Sequence, residues 1–204
     1  MKLLRFLILF LFTPQLFAGA LNLQSLRVPS FLGSAPSLKG YTYGINPKAK
    51  VTVVEFSAFE CPLCLHFHNE VFPHIKRKYV DTKKVNWVVI PYPVGALSFQ
   101  VLAILDKLPA KKRLSFADAV MKKAAEWNHN DYEEHLKRLA KGYSLSPEAI
   151  KDALSQPSLQ LVAQYVLGIS KFPVEGTPTF FVNGLESNDQ LVQSDIEKQL
   201  AATK

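Results

Sequence analysis

The stretch VTVVEFSAFECPLCLHFH, residues 51–68, holds the only two cysteines of the 204-residue chain, Cys61 and Cys64. It opens with a run rich in valine and phenylalanine, which predicts a strand buried on both faces. Pro62 follows the first cysteine directly, and proline is well tolerated in the first turn of a helix. The stretch therefore predicts a strand that ends just before Cys61 and a helix that begins there, with both thiols near its start.

A C-x-x-C pair serves as a structural disulfide, as part of a metal site or as a redox catalyst. A disulfide that closes so short a loop contributes only about 2 kcal/mol, so a purely structural role is disfavoured. A Zn or Cu site needs further ligands, and His66 and His68 are the nearest candidates. On a helix, however, His68 shares the face of the two cysteines while His66 points away from it. We therefore predict no metal site.

The redox interpretation uses every local feature of the pair. Unpaired backbone N–H groups and the helix dipole at a helix N-terminus stabilise a thiolate and lower the pKa of Cys61. Cys64 follows three residues later on the same face, within disulfide reach and deeper in the first turn. We predict Cys61 as the attacking sulfur and Cys64 as the resolving one, acting through a mixed disulfide. The Cys61–Cys64 pair is then the redox group itself, and no other cofactor is expected.

In the rest of the chain, the spacing of the apolar residues distinguishes predicted strands from predicted helices. Residues 84–93 predict a second strand, and residues 96–171 predict four or five helices with no strand among them. GTPTFFVNG, residues 176–184, predicts a short strand that runs into an Asn-Gly hairpin turn. A final helix is predicted with Ser194 as its N-cap and Glu197 completing a capping box.

The first twenty residues, MKLLRFLILFLFTPQLFAGA, have the parts of a secretory signal. Lys2 and Arg5 give a basic start, a short apolar run follows, and an A-x-A pattern ends at Ala20. The apolar run is shorter than the ~20 residues that span a bilayer, so we predict a cleaved signal peptide over residues 1–20. Residues 21–40 mix serine, proline and glycine and predict an extended N-terminal arm.

The charge of the chain argues against a nucleic-acid partner. The formal net charge is +7, from 24 lysines and arginines against 17 acids. The basic residues occur in short groups on helix-like stretches among apolar residues, which is typical of solvated helix faces. The predicted export and the lack of an aromatic stacking platform agree, so we predict no nucleic-acid binding.

CPLC at a strand-to-helix junction, followed far downstream by GTPTFFVNG, resembles the DsbA-type thiol–disulfide oxidoreductases of the thioredoxin superfamily. The likeness runs from about Tyr41 to the C-terminus. It implies an α/β structure, a thioredoxin fold with an inserted all-helical subdomain. Residues 41–95 and 172–204 would form the discontinuous thioredoxin-like domain, and residues 96–171 the helical insertion.

The same resemblance assigns further site residues. Pro178 matches the proline that is cis in this fold and lies against the disulfide, and the backbone of Thr177 is implied to pair with an extended substrate peptide. Glu55 matches the buried acid beneath the active site, a group suited to move a proton to or from Cys64. Glu60, although next to the first cysteine, is expected to point to solvent.

The two residues between the cysteines, Pro62 and Leu63, are expected to tune the pair. Relatives described as strong oxidants often carry histidine where Leu63 stands. A leucine side chain donates no hydrogen bond to a thiolate and brings no positive charge. This position therefore predicts a less stabilised reduced form and a less oxidising pair.

The resemblance implies a periplasmic enzyme that introduces or exchanges disulfide bonds in unfolded or newly exported proteins. A membrane partner of the DsbB type would reoxidise it. Within the same class, the alternative is an isomerase or reductase that another partner keeps reduced. Such isomerases are usually oligomers, but residues 21–40 are a short and weakly patterned assembly arm, so we expect a monomer. In a different class, a thioredoxin-fold metallochaperone for Cu or Zn would use the same cysteines.

Overall fold

The structure is a computed structural model that describes residues 40–128 and 130–203. The predicted signal peptide, residues 1–20, lies outside the described residues. The predicted arm, residues 21–40, lies outside them as well, except for Gly40.

One mixed sheet of five strands forms the centre of the protein, in the order β1-β3-β2-β4-β5. β2 and β3 run parallel to each other, and the other neighbouring pairs are antiparallel. Every residue of β2 and β3 is buried, which explains the valine-rich and aromatic runs in their sequences. β1 was not predicted, because it is a four-residue strand without a continuous apolar run. The strands are β1 (Tyr41–Gly44), β2 (Val51–Ser57), β3 (Val85–Pro91), β4 (Thr179–Val182) and β5 (Leu185–Ser187).

The helical stretch after β2 alternates between α and π geometry. Phe72, at the end of the first π segment, donates its N–H to the carbonyl of Phe67, five residues back. Pro73 follows in the first turn of α2. Because proline has no N–H to donate, the wider turn before it lets the helical path continue past this residue. The segments are α1 (Pro62–His66), π (Phe67–Val71), α2 (Phe72–Ile75) and π (Lys76–Val80).

The helices between β3 and β4 pack around α3, which contacts each of the other four. Among them, α4 also contacts β1 and the first π segment, and so joins this block to the sheet. Over residues 96–128 and 130–171, the predicted run of helices without a strand is confirmed. Within the described residues, no helix is long and apolar enough to cross a membrane. The helices are α3 (Ala96–Lys107), α4 (Ala110–Lys123), α5 (Tyr132–Gly142), α6 (Pro147–Ala153) and α7 (Gln156–Ile169).

The predicted Asn-Gly hairpin turn is confirmed between β4 and β5. Asn183 and Gly184 have positive φ angles of 48° and 88°, the left-handed conformations that a two-residue turn of this type requires. The Asn183 side chain accepts a hydrogen bond of 2.9 Å from the backbone N–H of Thr52 in β2, which ties the turn to the sheet.

The predicted start of the last helix is wrong. Helix α8 spans Val192–Ala202 with Leu191 as its N-cap, and the hydroxyl of Ser194 donates to the carbonyl of Leu191 instead of capping. The chain turns earlier because the Asn188 side chain accepts the backbone N–H of Leu191 at 3.0 Å. Glu197 bonds outside its own helix, accepting from the ammonium of Lys78 at 2.9 Å.

Candidate active site

Cys61 is the N-cap of α1, at the place where the chain leaves β2, as predicted. Its sulfur accepts the backbone N–H of Cys64 at 3.4 Å, and its thiol donates to the carbonyl of Thr177 at 3.1 Å. Both cysteines are free thiols. Cys61 keeps 9% of its surface exposed and Cys64 none, so only the first sulfur is open to attack from outside.

The surroundings of Cys61 lower the pKa of its thiol to about 5. The largest cause is the hydrogen bond from the Cys64 thiol; burial acts in the opposite direction but does not outweigh it. Hydrogen bonds from the Thr177 side chain and from the backbone of Cys64 and Leu63 add to the lowering. Since the thiolate is the reactive form of cysteine, Cys61 is a ready nucleophile and a good leaving group at neutral pH.

Cys64 has the opposite environment. Burial, and then the neighbouring Cys61, raise the pKa of the Cys64 thiol far above its usual range. The backbone of Ala58 and the side chain of Ser57 lower it by less. Cys64 therefore keeps its proton and donates it in a hydrogen bond to the Cys61 sulfur. This asymmetry is what an attacking and a resolving thiol require.

The segment that leads into β4 lies against Cys61. The Thr177–Pro178 peptide bond is cis, in agreement with the resemblance noted for the sequence. Both residues are half-buried, and the Thr177 carbonyl is the one that the Cys61 thiol contacts. More than a hundred residues separate this segment from the cysteines, so the chain itself gives no local signal of their contact.

Leu63 and Pro62 lie on the surface beside Cys61. The side chain of Leu63 is 58% exposed, so an approaching substrate can reach it. It offers the thiolate no polar group, as the sequence analysis stated, but the backbone of the same residue helps to lower the pKa of Cys61. Stabilisation of the thiolate at this site therefore comes from the backbone, Cys64 and Thr177.

Glu55 lies in β2, the strand that leads to Cys61, with its side chain fully buried. One carboxylate oxygen accepts the indole N–H of Trp87 at 2.9 Å, and the other lies 2.7 Å from Nε2 of His68. Burial alone lowers the pKa of His68, but the charge and hydrogen bond of Glu55 outweigh burial and raise it. The two side chains therefore form a buried ion pair whose members have few other polar partners.

Sequence reasoning missed most of the polar network around Glu55. Its one usable signal was the helical spacing that puts His68 on the same face as Cys64. Tyr43 lies with its ring centroid 6.3 Å from that of His68 and donates its hydroxyl proton to Asp118 in α4. No sequence pattern links Tyr43 and Asp118, because they come from a short strand and from a helix 75 residues away.

The expectation that Glu60 points to solvent is wrong. Its side chain is half-buried and accepts the hydroxyl proton of Ser98, in the first turn of α3. The same serine oxygen accepts the backbone N–H of Phe59 at 2.8 Å. Glu60 turns inward because the helical block begins directly over the end of β2. Burial there raises the pKa of the Glu60 carboxyl group.

The histidines near the cysteines do not converge with them. His66 is exposed on the outer side of α1, whereas His68 is engaged by Glu55. Across residues 40–128 and 130–203, no three histidine, cysteine, aspartate or glutamate side chains are grouped so as to hold a metal ion.

Comparison with known proteins extends these observations. The sequence profile of the thioredoxin family matches residues 37–202. A Rickettsia bellii protein, provisionally named a protein-disulfide oxidoreductase, is 31% identical over 156 residues, which cover 73% of this chain and 59% of that protein. Disulfide bond formation protein D of Bacillus subtilis is 25% identical over 155 residues, covering 72% of this chain and 70% of that protein. The crystal structure of Wolbachia pipientis alpha-DsbA1 superimposes with a TM-score of 0.67 at 22% identity, covering 82% of this chain and 92% of that one.

The structural likeness to alpha-DsbA1 confirms the predicted fold class, a thioredoxin fold with an inserted helical region. The chain spans less than two thirds of the length of its Rickettsia relatives, 59% for Rickettsia bellii and 57% for Rickettsia typhi. The family profile nevertheless covers nearly all of the described residues, including the cysteine pair and the cis proline segment. The chain therefore belongs to the thioredoxin family, and its fold is that of the DsbA-type members.

Proposed function

We propose that this protein is a thiol–disulfide oxidoreductase that introduces or exchanges disulfide bonds in other proteins. The observation that carries the proposal is the asymmetry of the two thiols. The accessible Cys61 has a pKa lowered to about 5, and the buried Cys64 has a pKa raised far above its usual range. The names of the Rickettsia and Bacillus relatives, which refer to disulfide chemistry, support the same function.

In the proposed reaction the pair starts as a disulfide. A substrate thiolate attacks the sulfur of Cys61, the Cys61–Cys64 bond breaks, and Cys64 leaves with the electron pair and takes up a proton. A second substrate thiolate then attacks the substrate sulfur of the mixed disulfide. The substrate disulfide forms and Cys61 leaves as a stabilised thiolate. Two electrons have passed from the substrate dithiol to the cysteine pair.

Other site residues have supporting roles in this proposal. The buried Glu55–His68 pair is the proposed source and acceptor of the proton that Cys64 gains or loses. The backbone of Thr177, beside Cys61, is proposed to bind the extended substrate chain, a mode that tolerates many sequences. Pro178 holds that segment in place, while Pro62 and Leu63 shape the surface that the substrate meets.

The direction of the reaction follows from the thiolate. Stabilising the thiolate of Cys61 stabilises the reduced protein, which makes the disulfide form a stronger oxidant. We therefore propose the donor direction, in spite of the leucine at position 63. The substrates would be unfolded or newly exported proteins in the periplasm, reached by way of the signal-like residues 1–20. A DsbB-type membrane protein would reoxidise the pair, and the enzyme would act as a monomer.

The test is to equilibrate the purified protein with glutathione buffers and measure its reduction potential, together with the oxidation of a reduced two-cysteine peptide. We expect a reduction potential well above the roughly −270 mV of thioredoxin. We also expect the protein to oxidise the peptide, and Cys61→Ser to abolish that oxidation. A potential near or below that of thioredoxin would overturn the donor direction in favour of a reductase or isomerase. A wild-type pair that does not exchange with the peptide in either direction would refute the function.

A further inference from the structure

A cleft of about 530 Å³ opens beside the cysteine pair, between the first helical stretch and the helical block. Glu60, the residue before Cys61, lines it. Glu70 lines it from the first π segment, and Trp127 and Tyr132 line it from the helical block. Glu60 and Pro62, the residues on either side of Cys61, both line the cleft, so it lies next to the position at which a substrate cysteine would react.

Glu60 brings a half-buried acid to this cleft. Its Oε2 accepts the hydroxyl proton of Ser98, but its Oε1 is buried without a hydrogen-bond partner. Within residues 40–128 and 130–203, the ion pairs found for lysine, arginine and histidine all go to other acids. Burying a carboxylate without a counter-charge is costly, which agrees with the raised pKa of Glu60; a cation that enters the cleft would lower that cost and favour the charged form.

Little space is left between Oε1 of Glu60 and the backbone at Gly95. A Cβ atom placed on Gly95, the residue before α3, would lie 2.7 Å from Oε1 of Glu60. The glycine therefore makes room for the carboxyl group in its inward position, at the wall of the cleft that Glu60 and Gly95 both line.

Aromatic side chains in the cleft favour the same kind of occupant. Trp127 and Tyr132 line it, and an indole face is the best of the protein surfaces for binding a cation. The Trp127 ring stacks on His135 at 5.5 Å with an interplanar angle of 12°, which holds the indole in one orientation. Glu70 adds a second negative charge at an exposed position. In a chain of formal charge +7, this is an acidic site.

We propose that this cleft is a subsite for a lysine or arginine side chain of the protein substrate, close in sequence to the cysteine that reacts with Cys61. The cationic group would bind the carboxyl group of Glu60, and the apolar stem of the same side chain would lie along Trp127. This inference rests on the proposed function and adds a substrate preference to it. Substrates with a basic residue near the reactive cysteine would be oxidised faster than neutral ones.

The test compares two reduced two-cysteine peptides that differ at one position beside a cysteine, lysine in one and norleucine in the other. The second-order rate constant for reduction of the oxidised full-length protein is measured for each. The lysine peptide is expected to react about tenfold faster, the factor that corresponds to one partly buried ion pair. The preference should shrink at ~0.5 M salt, where exposed charge interactions are screened.

Three variants test which residues cause the preference for the lysine peptide. Glu60→Gln should bring the ratio of the two rate constants close to one, whatever it does to their absolute values. Glu126→Gln is the matched control, since it removes an exposed acid next to Trp127 that does not line the cleft, and the ratio should stay unchanged. Trp127→Leu should lower the ratio, and it serves as a second variant should Glu60→Gln not fold.

The outcomes separate this inference from the proposed function. Equal rates for both peptides in a wild-type protein that oxidises both would overturn the subsite and leave the function intact. A lysine preference that survives Glu60→Gln, or one unchanged in a folded Trp127→Leu variant, would also overturn it. A wild-type protein that oxidises neither peptide would refute the proposed function, and the subsite with it.

Discussion

The hydrogen bond between the two thiols is the largest cause of the low pKa of Cys61, and it can be removed with a small change. Cys64→Ala deletes the donor. Cys64→Ser replaces it with a hydroxyl group, which also donates a hydrogen bond. Because neither variant can form the disulfide, both report the acidity of Cys61 alone.

The size of the effect follows from the energy of such a bond. A hydrogen bond to a charged group contributes about 1.5–3 kcal/mol, and one pKa unit corresponds to about 1.36 kcal/mol. The pKa of Cys61 should therefore rise by about 1 to 2 units in Cys64→Ala. In Cys64→Ser it should stay near the value of about 5 found for the native environment.

The assay is the pH dependence of Cys61 alkylation, checked by the ultraviolet absorbance of the thiolate. The reduced wild-type protein should titrate with a midpoint near pH 5. A wild-type midpoint near the ordinary cysteine value of about 8.5 would refute the environment described for the site. Equal shifts in the alanine and serine variants would refute the role assigned to the Cys64 donor.

Three further predictions concern stability, each measured by urea unfolding. The folded protein holds the pKa of Cys61 at about 5, below the roughly 8.5 of an ordinary cysteine. The free energy of unfolding of the reduced protein, relative to that of the oxidised protein, should therefore rise with pH between about pH 5 and about pH 8.5. If the difference in unfolding free energy between the two forms stayed constant over this range, the prediction would be contradicted. His68→Leu should lower the free energy of unfolding by about 3–5 kcal/mol, because it leaves Glu55 buried without its cation. Adding Glu55→Gln should recover part of that lost stability. A double variant no more stable than His68→Leu would argue against the ion pair. Gly95→Ala should cost about 0.5–1.5 kcal/mol, because the new methyl group displaces the end of the Glu60 side chain from its hydrogen bond with Ser98. The cost should be smaller in a Glu60→Ala background, and equal costs in both backgrounds would exclude that contact.

Much of the central motif could be predicted from the chain because its determinants are local. Pro62 and the apolar run before Cys61 place the strand-to-helix junction, and the spacing to Cys64 places the second thiol on the buried side. The Asn-Gly turn was predictable for the same reason, because both conformations it needs belong to adjacent residues. The division into domains at residues 96 and 171 stays a prediction.

The groups that set the chemistry of the pair come from far along the chain. Thr177 reaches Cys61 only when β4 joins the sheet beside β2, and the sequence alone suggested this only through the family resemblance. The inward turn of Glu60 depends on where α3 begins over the end of β2, so the local sequence pointed the wrong way.

By itself, the sequence determined where the two thiols sit and which of them is accessible, because one turn of a helix settles both. Only the tertiary structure decided how each thiol ionises. The pKa of Cys61 depends on hydrogen bonds from Thr177 as well as from its own helix, and that of Cys64 on complete burial under the packed sheet and helices. Electrostatic effects of this kind act through space, so they are set by which distant segments the fold brings within a few ångströms.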